Sequence, residues 1–232
     1  MLFITFYTDD YITPYIHLKR SCDAVGVELY GERIDRGDRT WRQIVALKPI
    51  FIRKQLIKNV GKHDRVVWID ADSKIKKRPE LLYDLKADIA ARLWDPRRKA
   101  AAPGGSAALK VDLGKYEPMA GVIALKNTEP VRKCVGTWCK NIQSYSSSVS
   151  RPDQRSLKAA LLEHEKTVDF QALPTEYCCF MKFLPPSQNA EGLRAVIQVS
   201  RWTIRNLGNV EKLAWTEKKQ REDGTWRRDE WE

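Results

Sequence analysis

The sequence predicts an α/β sandwich with a mainly parallel central sheet, in a single domain over residues 1–210 followed by a charged tail or peripheral helix over 211–232. Two observations predict this fold, and a third argues against a membrane span. Short apolar and β-branched runs typical of buried strands alternate with segments of helical spacing. A chain of 232 residues is long enough to bury one large core. No stretch approaches the roughly 20 apolar residues of a membrane span, so no transmembrane segment is expected.

The first half of the chain begins with a predicted buried strand, residues 2–8. This apolar run meets carboxylates almost at once and lacks the basic start of a signal peptide. A helix is expected over 16–24 and a second strand over 25–30. Helical spacing from residue 41 stops before Pro49, which is expected to open a separate helix because proline suits the first helical turn.

The second half contains the clearest buried strand, residues 65–70, which is mostly apolar up to Asp70. Four further strands are predicted over residues 88–94, 119–125, 168–173 and 195–199. Helices are predicted over residues 129–142 and from Pro152 onwards, and loops over 100–106 and 143–150.

Charge gives the first indication of function. The chain has 41 basic and 30 acidic side chains, a net charge of +11 and a pI near 9.4. Residues 211–232 carry six basic and seven acidic side chains, so the positive excess belongs to residues 1–210. A basic body suits a polyanionic partner such as nucleic acid, although solubility alone also explains it.

The cysteine pattern bears on the compartment. Five cysteines, an odd number, occur without a C-x-x-C pair or nearby histidines. A disulfide framework or a structural zinc site is therefore not expected. The interpretation is a cytoplasmic protein with reduced thiols, and we expect a monomer.

Asp70 and Asp72 stand one residue apart at the end of the clearest buried strand. Because residues i and i+2 of an extended chain point the same way, both carboxylates can face one point beyond the strand, where open α/β sheets bind ligands. Two hard oxygen ligands suit Mn²⁺ or Mg²⁺, with phosphate oxygens and water as further ligands. Such a metal neutralises charge on a diphosphate leaving group. The alternative is a solvated helix cap before Ser73.

With these segments in this order, the chain resembles the GT-A-fold glycosyltransferases, which use nucleotide-diphosphosugar donors and carry a D-x-D at the end of a buried strand. Besides the D-x-D, the matching segments within residues 1–200 are 5–8, 48–51, 119–127, 153–157 and 173–178. The resemblance implies a GT-A-like (Rossmann-like) αβα sandwich and a metal-dependent transferase that uses a UDP-sugar.

The resemblance also implies catalytic residues. Asp72 is the expected metal ligand, and Asp70 is expected to contact the ribose or the metal. Asp153 is expected to act as a base toward the acceptor hydroxyl or to anchor hydroxyls of the donor sugar. Its place in the first turn of a helix, where the dipole favours a carboxylate, makes capping the alternative.

Donor-binding residues follow in the same way. Tyr7 and Thr8 are expected at the nucleotide base, and Lys48 at the diphosphate. The alternatives are an ordinary core aromatic for Tyr7 and a surface lysine for Lys48. The full expected donor-binding set is Tyr7, Thr8, Lys48, Asp70, Gly121, Gln154 and Arg201.

One departure from the family pattern concerns the metal. Many members carry a late histidine as a third ligand, and residues 196–201 contain none. Either Gln198 or Ser200 substitutes, or the ion is held mainly by Asp72, diphosphate and water. Arg201 and Arg205 could replace the lost positive charge near the diphosphate.

The acceptor is predicted from basic clusters that follow the D-x-D. They comprise Lys74, Lys76, Lys77, Arg78, Arg92, Arg97, Arg98 and Lys99. The expected nucleic-acid contacts are Lys76, Lys77, Arg97 and Arg98. Three tryptophans are interpreted either as core residues or as faces on which a base or sugar stacks: Trp68, Trp94 and Trp202.

Small basic transferases of this build resemble the bacteriophage group that glycosylates 5-hydroxymethylcytosine in DNA, notably those associated with TET-type oxygenases. The predicted acceptor is therefore this modified base, presented in the major groove or flipped out of the duplex. The compartment would then be the host cytoplasm.

Two other functions stay open on the sequence. One is a transferase of surface or capsular saccharide synthesis, docked by its basic face on anionic lipid. The other is a non-catalytic α/β domain that binds nucleic acid.

Overall fold

The computed structural model describes residues 1–95, 100–101, 113–145, 151–178 and 195–199. Its strands are β1 Leu2–Tyr7, β2 Leu29–Arg33, β3 Arg65–Ile69, β4 Ser73–Ile75, β5 Ile89–Asp95, β6 Ala100–Ala101, β7 Glu117–Lys126, β8 Phe170–Leu173 and β9 Ile197–Val199. Its α-helices are α1 Ile12–Ala24, α2 Trp41–Lys58, α3 Glu80–Asp84, α4 Glu129–Ser144 and α5 Pro152–Glu163. Single 3₁₀ turns cover Asp9–Tyr11 and Thr175–Tyr177.

The central sheet has the strand order β2-β1-β3-β7-β5-β6, with β8 also paired to β5. Strands β1, β2, β3, β5 and β8 run in one direction, and β7 and β6 run in the other. The predicted α/β fold with a mainly parallel sheet is therefore confirmed. Strands β4 and β9 form a separate antiparallel pair.

Helices cover both faces of this sheet, which explains the continuous apolar runs of its central strands. Successive side chains of a strand point to opposite faces, and β1 shows the consequence. Ile4 joins a core with α2, α4 and α5, whereas Phe3 joins a second core with α1 and the β4–β9 pair.

Helix α2 corrects one prediction, because it runs unbroken through Pro49. Proline lacks the N–H that would bond to the carbonyl of Val45, so a helix interior normally excludes it. Two features compensate: a capping box between Thr40 and Gln43 at the start, and an apolar face that buries Ile52 and other side chains in the core. The unbroken helix leaves Lys48 near its middle.

Three further features of the fold differ from the predictions. The second strand begins at Leu29, not at residue 25, because α1 ends in a turn with Gly26 at a φ of +66°. The predicted strand 195–199 appears as β9, which pairs with β4 and not with the central sheet. The sequence did not predict β4, which is only three residues long.

Two further observations concern membrane-spanning helices and cysteines. Within the described ranges, no helix combines the length and apolarity needed to cross a membrane. Among the described residues, Cys22, Cys134 and Cys139 are free thiols. Cys179, like the whole tail 211–232 and most of the predicted loops 100–106 and 143–150, lies outside the described residues.

Candidate functional site

The site lies where β1 and β3 reach the same edge of the sheet. The two strands are adjacent and parallel, so the segments after Tyr7 and Ile69 leave the sheet together. Antiparallel β7 passes beside them, and the Asp70 amide donates a 2.9 Å hydrogen bond to the Gly121 carbonyl. Gly121 thus contributes backbone to this edge of the sheet.

A buried lysine joins the elements around this edge. The Lys48 ammonium, on α2, lies 2.8 Å from Asp153 Oδ2 and 3.0 Å from Asp70 Oδ1. It also donates to the Ala120 carbonyl at 3.0 Å. Lys48 is 5 % exposed, so the surface-lysine alternative is wrong. One ammonium therefore connects α2, α5, β7 and the D-x-D segment.

The charges of this cluster determine its proton affinity. Burial opposes a charged Lys48, but the carboxylates of Asp153 and Asp70 outweigh it and raise the lysine pKa. Burial also disfavours the charged form of Asp70 and so raises its pKa, while the Lys48 ammonium opposes that rise. Two carboxylates, those of Asp70 and Asp153, contact one ammonium, so the three groups carry a formal charge of −1 when all are ionised. Asp72, two residues after Asp70, adds a further negative charge near Tyr11.

Trp68 fixes the orientation of the first D-x-D carboxylate. Its indole Nε1 donates a 2.9 Å hydrogen bond to Asp70 Oδ1, the same oxygen that Lys48 approaches. The Trp68 ring packs against Phe6 and Phe51 in the core, so the core interpretation holds for this tryptophan. Trp94 is half-buried, and Trp202 lies outside the described residues.

Asp153 is fixed by the start of α5. Its backbone carbonyl accepts a 3.1 Å hydrogen bond from the indole of Trp138, which also donates to Ser156 Oγ. The N-cap residue of α5 is Arg151, and its side chain makes no capping hydrogen bond. The Asp153 carboxylate lies in the first turn of the helix, as predicted, and its ion-pair partner is Lys48. Gln154 follows it, half-buried.

Asp72 is half-buried beside the sheet edge. It is followed by strand β4, and the next helix begins only at Glu80, so the helix-cap alternative for the D-x-D is wrong. Tyr11 stands close to both carboxylates: burial raises the pKa of its phenol, and the charges of Asp72 and Asp70 raise it further. Tyr11 was not predicted as a site residue, although it stands only three residues beyond Thr8.

Tyr7 and Thr8 end β1 in a packed environment. The Tyr7 ring stacks on Tyr15 with centroids 3.9 Å apart, and a side chain at Gly31 would collide with the Tyr15 ring. Thr8 is buried, and its hydroxyl donates to Asp10 at 2.6 Å. A stacking role for Tyr7 would therefore use its other face, and the base contact stays a prediction.

The basic cluster after the D-x-D is only partly at the surface. Lys76, Lys77 and Arg78 are exposed, and Lys74 is half-buried. Arg92, by contrast, is buried and donates to the Cys178 carbonyl, so its inclusion in a surface cluster was wrong. Five predicted cations lie outside the described residues: Arg97, Arg98, Lys99, Arg201 and Arg205.

Metal-binding capacity depends on few groups. Within the described residues, no set of three or more His, Cys, Asp and Glu side chains is arranged to hold a metal ion. Gln198, one suggested substitute ligand, pairs with Lys74 across the β4–β9 ladder. The other, Ser200, lies outside the described residues. A cation bound here would depend on the D-x-D carboxylates and on ligands that the substrate brings.

The sheet, with a carboxylate pair beyond β3 at its edge, agrees with the GT-A-like fold predicted from the sequence. Solved structures agree. A glycosyltransferase involved in the glycosylation of the major capsid of PBCV-1 superposes with a TM-score of 0.61 at 11 % identity, over 85 % of this chain and 92 % of that one. The galactosyltransferase LgtC, solved with donor and acceptor sugar analogues, gives 0.53 at 13 % identity over 87 % of each chain.

A third neighbour is the glycosyltransferase GlyE of Streptococcus pneumoniae TIGR4, with a TM-score of 0.50 at 13 % identity. The match covers 85 % of this chain and 53 % of that one. No protein-family model and no curated protein matches the sequence. At these identities the likeness is one of fold, and it establishes the GT-A-like fold class of this chain.

Proposed function

We propose that this protein is a metal-dependent glycosyltransferase that moves a sugar from a UDP-sugar to a hydroxyl acceptor. The observation that carries the proposal is the cluster of buried Lys48 and Asp153 with half-buried Asp70, and with Asp72 beside it, at the ligand-binding edge of a GT-A-like sheet. Burying charged groups is costly. Such clusters are concentrated at functional sites.

The D-x-D residues fit a divalent ion that arrives with the nucleotide. Lys48 and Trp68 already engage Asp70 Oδ1, which leaves Asp72 and the second oxygen of Asp70 as protein ligands. Mn²⁺ or Mg²⁺ bound there would neutralise charge that develops on the diphosphate leaving group. With two carboxylates as its protein ligands, the ion should bind weakly alone and tightly together with UDP.

Lys48 takes a role different from a direct diphosphate contact. An ammonium has three donors, and those of Lys48 meet Asp153, Asp70 and the Ala120 carbonyl. We propose that it orients the two carboxylates and compensates their charge. Asp153, held in place by this contact, would accept hydrogen bonds from hydroxyls of the donor sugar.

For the acceptor we propose DNA that carries 5-hydroxymethylcytosine. The support is the pair Lys74 and Lys76 beside the D-x-D: burial lowers the pKa of Lys76, and the neighbouring Lys74 lowers it further. Within the described part of the chain neither ammonium is paired with a carboxylate. The repulsion between two neighbouring positive charges is reduced when an anion binds, and the phosphates of the DNA backbone would supply that anion.

The saccharide alternative has its own support. One structural neighbour is involved in the glycosylation of a major capsid, and another was solved with donor and acceptor sugar analogues. A saccharide acceptor would need no phosphate contacts, so the two proposals differ in what Lys74 and Lys76 do.

A panel of donors against acceptors tests the function. Purified protein with Mn²⁺ would receive labelled UDP-glucose, UDP-galactose or UDP-N-acetylglucosamine. The acceptors would be a hydroxymethylated duplex, its unmodified counterpart and an oligosaccharide, with Asp72→Asn as the inactive control. Label on the modified duplex alone is expected. Label on the oligosaccharide alone would favour the saccharide function, and DNA binding without UDP binding would favour the non-catalytic domain.

A further inference from the structure

Arg151 has an unusual backbone conformation next to the site. Its φ of 54° and ψ of 57° are left-handed, and among the described residues it is the sole non-glycine with a positive φ. A side chain disfavours this region, and Pro152 further restricts the residue before it toward extended conformations. Such a conformation persists only where its surroundings hold it.

Glu117 forms an ion pair with Arg151. The Arg151 guanidinium lies 3.1 Å from Glu117 Oε2, without the geometry of a hydrogen bond, and Arg155 approaches the other oxygen at 3.9 Å. The Glu117 side chain is only 10 % exposed. Because Glu117 begins β7, it stands on the same strand as Ala120, whose carbonyl accepts from Lys48. One strand therefore contacts both the start of α5 and the lysine.

We propose that Glu117 and Arg151 are positioning residues for Asp153. The left-handed turn at Arg151 sets the direction in which α5 begins, packed against β7, and the ion pair to Glu117 holds that turn. Asp153 lies two residues later, 2.8 Å from Lys48. The catalytic part of this inference depends on the proposed function, whereas its structural part concerns the distance from Asp153 to Lys48.

A pair of substitutions separates the backbone from the guanidinium. Arg151→Gly removes the ion pair but adopts a positive φ without strain. Arg151→Ala removes the ion pair and keeps the strain, so the turn should relax and displace Asp153. Glu117→Gln keeps the shape of the buried side chain and weakens the hold on Arg151.

The expected result is a split between kcat and binding. Arg151→Ala and Glu117→Gln should lower kcat by about 10–100-fold, because small misplacements of a reacting group are costly. Their Kd for UDP should change less than about twofold, since UDP lacks the sugar that Asp153 is proposed to hold. Arg151→Gly should recover most of the rate. Lys133→Ala, which removes an exposed ion pair to Glu129 on α4, should leave kcat unchanged.

Equal kcat in Arg151→Ala, Arg151→Gly and the unsubstituted protein, with only the melting temperature altered, would overturn the inference. If the protein transfers no sugar at all, the proposed function fails, but the positioning role is still decided by crystal structures of the variants. The distance from Asp153 Oδ2 to Lys48 Nζ should lengthen in Arg151→Ala and Glu117→Gln but not in Arg151→Gly. An unchanged distance in all three variants would refute it.

Discussion

Lys48 and Lys76 show how the same type of side chain acquires opposite pKa shifts in two regions of this molecule. Lys48 is buried between two carboxylates, and its pKa is raised. Lys76 is exposed beside Lys74, and its pKa is lowered by burial and by that neighbour. Desolvation lowers the pKa of both lysines, so the sign of the nearest charges decides the difference. The first environment suits an internal structural cation, and the second suits contact with an external anion.

The largest effect is expected at the metal end of the Lys48 region. Asp72→Asn should reduce transfer by about 100-fold or more, because a neutral amide holds a divalent ion weakly and several kcal/mol of charge stabilisation are lost. Steady-state rates with Mn²⁺ over a range of concentrations measure this. Circular dichroism should show an unchanged fold. Near-normal rates at ordinary Mn²⁺ concentration would remove Asp72 from the metal site.

Asp153→Asn should lower kcat by about 100-fold, in the range found for removing one preorganised polar group. The UDP affinity should be unchanged, because the residue is proposed to lie on the sugar side of the donor. Calorimetric titration with UDP separates the two quantities. Collapse of UDP binding together with activity would show that the role is wrong.

Lys48→Met should destabilise the protein by about 3–5 kcal/mol, because buried Asp153 and half-buried Asp70 would lose their partner. Lys54→Met is the matched control on the same helix, since Lys54 pairs with Glu32 while its side chain is 58 % exposed. An exposed pair contributes only about 0–1 kcal/mol. Urea unfolding gives both free energies. Similar losses in the two variants would contradict the contrast between the buried and exposed lysines.

In the second region, replacing both Lys76 and Lys77 by Glu should weaken DNA binding regardless of sequence. Each lost phosphate contact should reduce the log–log salt slope by about 0.9 on duplex DNA. The affinity for UDP-sugar should be unaffected. Filter binding at several salt concentrations measures the slope. Weak, salt-insensitive binding by the unsubstituted protein would reject DNA as partner and leave the saccharide proposal in front.

The smallest effect sharpens the comparison without any substrate. Lys74→Gln should raise the pKa of Lys76, because a neighbouring ammonium disfavours a second one. The pKa should still stay below its ordinary value, since burial is the larger cause of the shift. NMR titration of the Lys76 side chain measures it. An unchanged pKa would mean that the two ammonium groups do not interact in solution.

Local patterns predicted the elements that define the sheet edge. The apolar runs of β1 and β3 were recognisable because both strands are buried on both faces. The D-x-D was recognisable by its place after β3, and Asp153 by its place in the first turn of α5. These signals extend over a few residues, within the range where local chemistry sets conformation.

Tertiary contacts decided the rest. Lys48 and Asp153 are 105 positions apart, and no local pattern shows that a lysine so far along the chain lies between two carboxylates. Pro49 continues its helix because packing of α2 outweighs the lost backbone bond, which local propensity does not include. The sequence alone therefore placed Asp153 at the start of a helix. Only the packing of α2, α5 and β7 gave its carboxylate a buried cation as partner, since charges interact through space and not along the chain.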